Sequence, residues 1–386
     1  MSDMQLEPAL SLPSGFRFDE VSSVTAPRAR GASVPSLGPL AAFTGTFRGS
    51  GFNTIFRPDS TATPTKLPVP VSGSDNVLEL NLTLETLSFS ASLGSVPNRG
   101  MVQGDIFLNG VPYLQSIEDV TVPSQPVGIH FEPGLWMAVP ATTDPAEGAT
   151  VVRMASIPHG TSVEAQGTST TVAGKPTIPA ADITPFSTAP PHSPTPFPSQ
   201  TAATPGTARI PQDLAPFVAA GTITQAMLTD PNTLLRNHIA SQTITSTTVI
   251  SISSEPAAPL FGGGTGNIAF LLGNATASAP NAQTLKMDAT FWIETAEFTI
   301  EVPLFEPGQP PLIIPAQTGA AGQPVAEFLV NPPIPITAPR TITVKATQIQ
   351  YSQQVFLNFN TLTWPHVSVA TLVPSSPISI PASAWA

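Results

Sequence analysis

The segment from Leu40 to Pro58, LAAFTGTFRGSGFNTIFRP, constrains the fold more than any other stretch of the chain. Phe43, Phe47, Phe52 and Phe56 require a buried face, while Gly45, Gly49 and Gly51 mark bends or close approach of a second backbone. Aromatic residues spaced by glycines in one extended run suit the corner of a curled sheet, and so the opening of a β-barrel. Composition agrees with an all-β fold. The 46 prolines among 386 residues interrupt helical hydrogen bonding too often for long helices, and 41% hydrophobic residues suffice for a real core.

Charge and cysteine content narrow the function. Fourteen basic residues without a cluster, against a formal net charge of −11, cannot supply the positive stripe that a phosphate backbone requires, so nucleic acid is excluded as a partner. The absence of cysteine removes disulfides, zinc–thiolate sites, iron–sulfur clusters and thiol nucleophiles together. The N-terminus lacks a basic region followed by an apolar run, and no stretch approaches 18 apolar residues. The expectation is a soluble protein without a transmembrane segment, located in the cytoplasm, with export by another route left open. Asn81 and Asn274 lie in formal glycosylation sequons, at a frequency that a Thr-rich chain reaches by chance.

Strand signals begin at Leu37. Leu78, Leu80, Leu82 and Leu84 alternate with Glu79, Asn81, Thr83 and Glu85, a sheet with one dry and one wet face; the apolar set then moves to Leu87 and Phe89, which predicts a bulge or bend near Thr86. Further strands are expected at Met101–Leu108, Val127–Phe131, Gly134–Val139, Thr150–Ser156, Ser162–Thr171, Thr243–Ser253, Asn267–Leu272, Met287–Val302, Thr341–Ser352, Gln354–Leu362 and Val367–Val373, as an antiparallel meander. The apolar phase slips again midway through ATFWIETAEFTIEV. Between Lys175 and Gly206 proline is so dense that ladder bonding is mostly excluded, which indicates a strap. One helical signal follows, with Asp230 as N-cap and Pro231 at the first helical position, placed to lid an open barrel end. The expected layout is an N-terminal arm (1–36), a first barrel part (37–174), the strap and short helix (175–240), a second barrel part (241–374) and a tail (375–386). No second copy of the Gly-Thr-Phe opening occurs, favouring one barrel over two.

Chemistry-bearing residues are few. His130 and Glu132 stand two apart in GIHFEPGLW, and on a strand this spacing puts imidazole and carboxylate on one face, as proton transfer or metal ligation requires. A hydrogen-bonded pair before a turn is the plainer reading. His159, between Pro158 and Gly160, is held at a strand end that suits a barrel mouth; His366 follows Trp364-Pro365 and begins an apolar-alternating strand. His192 lies in the strap and His238 in the helical stretch. Arg57, Arg99 and Arg153 stand out because basic residues are scarce: each suits a ligand carboxylate, or a buried ion pair with Glu79 or Glu132. No G-x-S-x-G elbow is present, and FGGGTGN lacks the lysine of a phosphate loop.

Gly45, Thr46, Phe47, Gly49 and Gly51 resemble the Gly-Thr-aromatic-x-Gly-x-Gly start of calycin-type barrels such as lipocalins, fatty-acid-binding proteins and nitrobindin-like heme-binding proteins, with Phe47 where Trp is usual. The run of segments is also similar to bacterial proteins labelled heme-binding. The resemblance implies a large antiparallel calycin-like β-barrel that binds a hydrophobic small molecule, with heme the first cofactor to test. A histidine near the C-terminus ligates the iron in the nitrobindin-like group, and His366 lies in a similar place, with His159 as substitute. Trp136, Phe131, Phe291 and Trp364 would line the cavity and Arg57 would meet a ligand carboxylate. Two other readings stay open: a lipocalin-like isomerase or cyclase using His130 and Glu132 on a lipophilic substrate, and a structural, self-assembling β protein, a homo-oligomer joined through the N-terminal arm.

Overall fold

The computed structural model describes residues 34–59, 64–68, 76–257, 262–273, 281–317 and 324–385. Most of the expected N-terminal arm and the Asn274 sequon lie outside these residues. Ten strands form one closed antiparallel barrel. They are β1 (Gly45–Arg57), β2 (Val77–Phe89), β3 (Ile106–Asp119), β4 (Val127–Val139), β5 (Thr150–Ile157), β6 (Thr161–Ala173), β7 (Thr243–Ser253), β8 (Gln283–Val302), β9 (Arg340–Phe359) and β10 (Leu362–Pro374). Each strand pairs with the next in sequence, and β10 returns to β1 with Phe47 opposite Pro374 and Thr54 opposite Val367. Closure leaves the ring without an edge. The architecture fits a calycin-like fold, as the Gly-Thr-Phe opening implies.

The glycines of β1 serve the close approach expected of them. A Cβ on Gly49 would lie 1.8 Å from the Thr371 carbonyl oxygen, and one on Gly51 would lie 2.7 Å from Thr83 Oγ1 and 2.8 Å from Glu85 Oε1. A short 3-10 helix, Gly38–Ala42, precedes β1 and delivers buried Leu40 and Phe43 to one barrel end. There Phe43 stacks on Phe89 at 4.5 Å and meets Trp136 and Phe291 edge-on at 5.4 and 6.5 Å, making an aromatic plug.

At neither phase slip is the slipping strand itself bulged, although β7 carries an extra residue, Thr245, opposite Thr295 and Ala296 of β8. Pairing of β1 with β2 runs unbroken from Gly45–Phe89 to Arg57–Val77. Glu79, Asn81, Thr83 and Glu85 share a face with Leu87 and Phe89, and Glu79 and Asn81 line the barrel cavity, so this face is the inside. Leu78 and Leu80 point outward and are nevertheless fully buried, because the strap covers them together with Phe56. The dry side of the wall therefore changes from outside to inside along one regular strand. In β8 the pairing with β9 is continuous from Met287–Val355 to Val302–Arg340. β8 and β9, each 20 residues long, extend into a second core, where Phe298, Ile300 and Val302 bury the opposite face against Phe305, Phe328 and Trp385.

Other boundaries differ from expectation. β3 starts later than Met101, and Gln354–Leu362 divides between β9 and β10 at a tight turn where Asn360 and Thr361 take φ of 49° and 62°. Among the described residues four short α-helices replace the expected one: α1 (Ala215–Ala219), α2 (Gln225–Thr229), α3 (Thr233–Ile239) and α4 (Ala269–Leu272). Asp230 is extended and its Oδ1 accepts from the Asn232 amide, the capping contact expected at the start of this helical stretch, and from the Ala181 amide, which ties the strap to it. The helix beside the cavity is α4, where a strand was expected: Leu271 lines the cavity, whereas α3 packs on β10.

Candidate functional site

A cavity of about 520 Å³ occupies the barrel end opposite the aromatic plug. Its apolar wall includes Ile55, Ile117, Ile157, Val355 and Leu357, and its polar wall Asn53, Asn81, Gln115, Tyr351, Gln353 and Ser368. Three histidines, His130, His159 and His366, face it from β4, the β5–β6 turn and β10. A bulge in β4 brings two consecutive residues, Ile129 and His130, to the cavity: Ile117 pairs with His130 but Glu118 with Gly128.

Behind His130 lies a buried ionic network. His130 Nε2 and Glu132 Oε2 are 3.1 Å apart, Arg153 Nη2 is 2.5 Å from Glu132 Oε1, and Tyr113 donates its hydroxyl to the same carboxylate. Arg153 also donates to Tyr113 Oη at 2.8 Å and to Gln353 Oε1 at 2.7 Å. Its guanidinium carbon sits 5.4 to 5.7 Å from the rings of Phe291, Tyr113 and Trp136, so the network separates cavity from plug. Glu132 is 1% exposed and Arg153 2%. Burial opposes the charge on Glu132, but the adjacent guanidinium, with hydrogen bonds from His130 and Tyr113, holds its carboxyl down at about 2. An ionised carboxylate only accepts hydrogen bonds, so Nε2 of His130 carries a proton.

A second chain of donors fixes His366. Glu79, paired with Arg57 at 3.1 Å, accepts from Asn81 Nδ2; the same nitrogen donates to Asn53 Oδ1 at 3.2 Å. The Asn53 amide nitrogen therefore faces His366 Nε2 at 2.6 Å and Ser368 Oγ at 2.7 Å. Nε2 of His366 is the acceptor, and its proton resides on Nδ1. Burial, reinforced by the charges of His130 and His159, pushes His366 down to about 3, so its imidazole is neutral across ordinary pH. Burial also lowers His159, whose ring centre lies 5.7 Å from that of His130. Deeper still, Glu85 accepts from Tyr351 at 2.5 Å, Thr83 at 2.9 Å and Gln115 at 3.3 Å, and burial raises its pKa.

Of the residues singled out in the sequence, the fold brings His130, His159, His366 and Arg57 to one cavity, with Glu132 directly behind His130. Arg57 and Arg153 each have a carboxylate partner, Glu79 and Glu132. Trp136 and Phe291 belong to the plug. Trp364 packs against Phe56, Phe197 and Phe359 and is not among the cavity-lining residues, and Phe131 points outward, 43% exposed. Asn81, formally a sequon, is buried in the cavity wall and closed to glycosylation. The wall residues Asn53, Gln115, Tyr351 and Gln353 carried no motif, and the Glu79–Glu85 alternation read as a solvated face.

No protein-family model and no curated protein matches the chain. Among solved structures it is similar to that of Rv2717c from M. tuberculosis, at 11% identity over 89% of this chain and 99% of that chain, with a TM-score of 0.34. At that distance the likeness bears on neither fold nor function. The barrel itself is a closed antiparallel one of calycin-like form, with an internal cavity able to hold a small ligand.

Proposed function

We propose that the barrel binds one compact, largely apolar ligand in its cavity, with heme the leading candidate and His366 the residue that meets the iron. The observation carrying this reading is the set of three imidazoles lining one cavity, with His366 kept neutral by burial. A neutral imidazole is the form that ligates iron. The cavity lies within the 300 to 1,000 Å³ typical of ligand sites.

The donor set fits a group that needs a single axial imidazole. Among the described residues no cluster of three or more His, Asp or Glu side chains is arranged to hold a bare metal ion. His366 Nε2, which accepts a hydrogen bond from Asn53, is the atom that would hold the iron in place of that bond. Arg57, 45% exposed at the cavity rim and shared with Glu79, is the cation available to a ligand carboxylate. When bound, heme would supply an iron centre whose reactivity is tuned by its axial imidazole and by the polarity of the surrounding wall.

Titration of hemin into the purified protein tests the reading. The expected result is a Soret band that saturates at one hemin per chain and is lost in His366→Ala. A spectrum equal to that of free hemin would remove heme as the ligand, and an identical band in His366→Ala would remove His366 as the residue that meets the iron.

A further inference from the structure

The cavity holds a group that ligand binding alone does not require. His130 is anchored through Nε2 to a carboxylate that is itself locked between Arg153 and Tyr113, while its ring lines the cavity. This is the arrangement that fixes an imidazole in one tautomer and one orientation for proton transfer. Gln353 is oriented by the same network. Arg153 Nη1 donates to its Oε1, which leaves the Nε2 amide, with no protein partner among the described residues, as a donor on the cavity wall. With Nε2 committed to Glu132, the neutral form of His130 offers Nδ1 as its acceptor, and Gln353 offers Nε2 as a donor on the same cavity. The pair suits a carbonyl compound with an acidic neighbouring C–H.

We propose that the cavity is a proton-transfer site, in which His130 abstracts and returns a proton on a small unsaturated ketone while Gln353 donates to the carbonyl oxygen. This rests on the reading that the cavity takes a small ligand. In the first step the C–H bond next to the carbonyl breaks and an N–H bond forms on Nδ1. The C–H pair becomes a C=C bond and the carbonyl π pair moves to oxygen, where the Gln353 amide meets the developing charge. In the second step the oxygen pair re-forms C=O, and the alkene carbon farther from the carbonyl takes the proton back from Nδ1. The product is the conjugated isomer; nothing is oxidised or reduced, and no co-reactant is consumed. His130 and Gln353 are the catalytic residues, whereas Glu132 and Arg153 are positioning residues. The other titratable groups on this cavity are His159, His366, Tyr351, Glu79 and Arg57.

The full-length protein is tested with cyclohex-3-en-1-one, a probe small enough for the cavity, by following absorbance of the conjugated product. Wild type is expected to exceed an equal concentration of free imidazole, and His130→Ala to lose about a hundredfold or more, the usual weight of a positioned acid–base group. Gln353→Leu is expected to lower kcat more than it raises KM. Glu132→Gln is expected to displace the acid limb of the pH–rate profile, a readout that a purely structural role would not move. Independently of turnover and of any variant's folding, long-range nitrogen–proton NMR on wild type is expected to find the His130 proton on Nε2. A rate equal to that of free imidazole, a rate unchanged in His130→Ala, or a proton on Nδ1 would each overturn the proposal. Loss of isomerisation with hemin binding intact would overturn only this site. Isomerisation without hemin binding would support it and remove only the cofactor.

Discussion

Removing Arg153 isolates the energetics of the cavity's inner wall. In Arg153→Met the Glu132 carboxylate, 1% exposed, keeps hydrogen bonds from Tyr113 and His130 but loses its counter-charge. In the wild type Glu132 sits at about 2 against an ordinary 4.5, which corresponds to about 3 kcal/mol of stability at 1.36 kcal/mol for each tenfold change. A depressed carboxyl contributes fully above its unfolded value and loses that contribution as pH falls through the folded one. Wild-type stability should therefore drop between pH 4.5 and 2. Without the guanidinium, burial dominates and the carboxyl rises above 4.5, so the variant's contribution from Glu132 is present below 4.5 and disappears at higher pH. Urea denaturation at pH 7 should show Arg153→Met less stable by about 3 to 5 kcal/mol, with a smaller gap at pH 4. The double variant Arg153→Met/Glu132→Leu should recover most of the loss, because no buried charge is left unpaired. A gap below about 1 kcal/mol at pH 7, or a gap independent of pH, would refute the reasoning.

Three further outcomes follow from other parts of the fold. Burial raises Glu294 to about 7, so its contribution is present below 4.5 and lost as pH rises through 7; Glu294→Gln should flatten this dependence and stabilise the protein by up to about 3 kcal/mol at pH 8, seen in urea midpoints against pH. Gly49→Ala puts a Cβ 1.8 Å from the Thr371 carbonyl oxygen and should cost at least about 3 kcal/mol or prevent folding, measured by circular dichroism melts. Trp364→Ala should destabilise by about 3 to 5 kcal/mol in urea while leaving hemin affinity unchanged, since its ring packs among Phe56, Phe197 and Phe359.

The barrel was legible in the sequence because its local signals and its closure agree. Glycines at 49 and 51 mark the close approach of β10, and alternation in the later strands marks a wall. The site was only half legible. The i, i+2 spacing of His130 and Glu132 places them on one face regardless of what surrounds the strand, and the two do meet. Glu79, Asn81, Thr83 and Glu85 misled because polar alternation on a strand ordinarily means water. Here the strap dries the outer face, and the polar face encloses the cavity. The phase change near Thr86 reports that exchange of environments and not a bulge. Side chains recruited without motif, such as Gln353, become visible only when distant strands are placed together.

The central claim, that ligands are held inside the barrel against the cavity's histidines, is tested most directly by filling that space. Val355 lines the cavity between Tyr351 and Leu357 on β9, and Val355→Trp projects an indole into it. Hemin titration of wild type and Val355→Trp, with far-ultraviolet circular dichroism to confirm an intact barrel, is the decisive measurement. The account expects one hemin per chain in wild type and none in the filled variant. Equal binding by both would place the ligand outside the barrel and contradict the account.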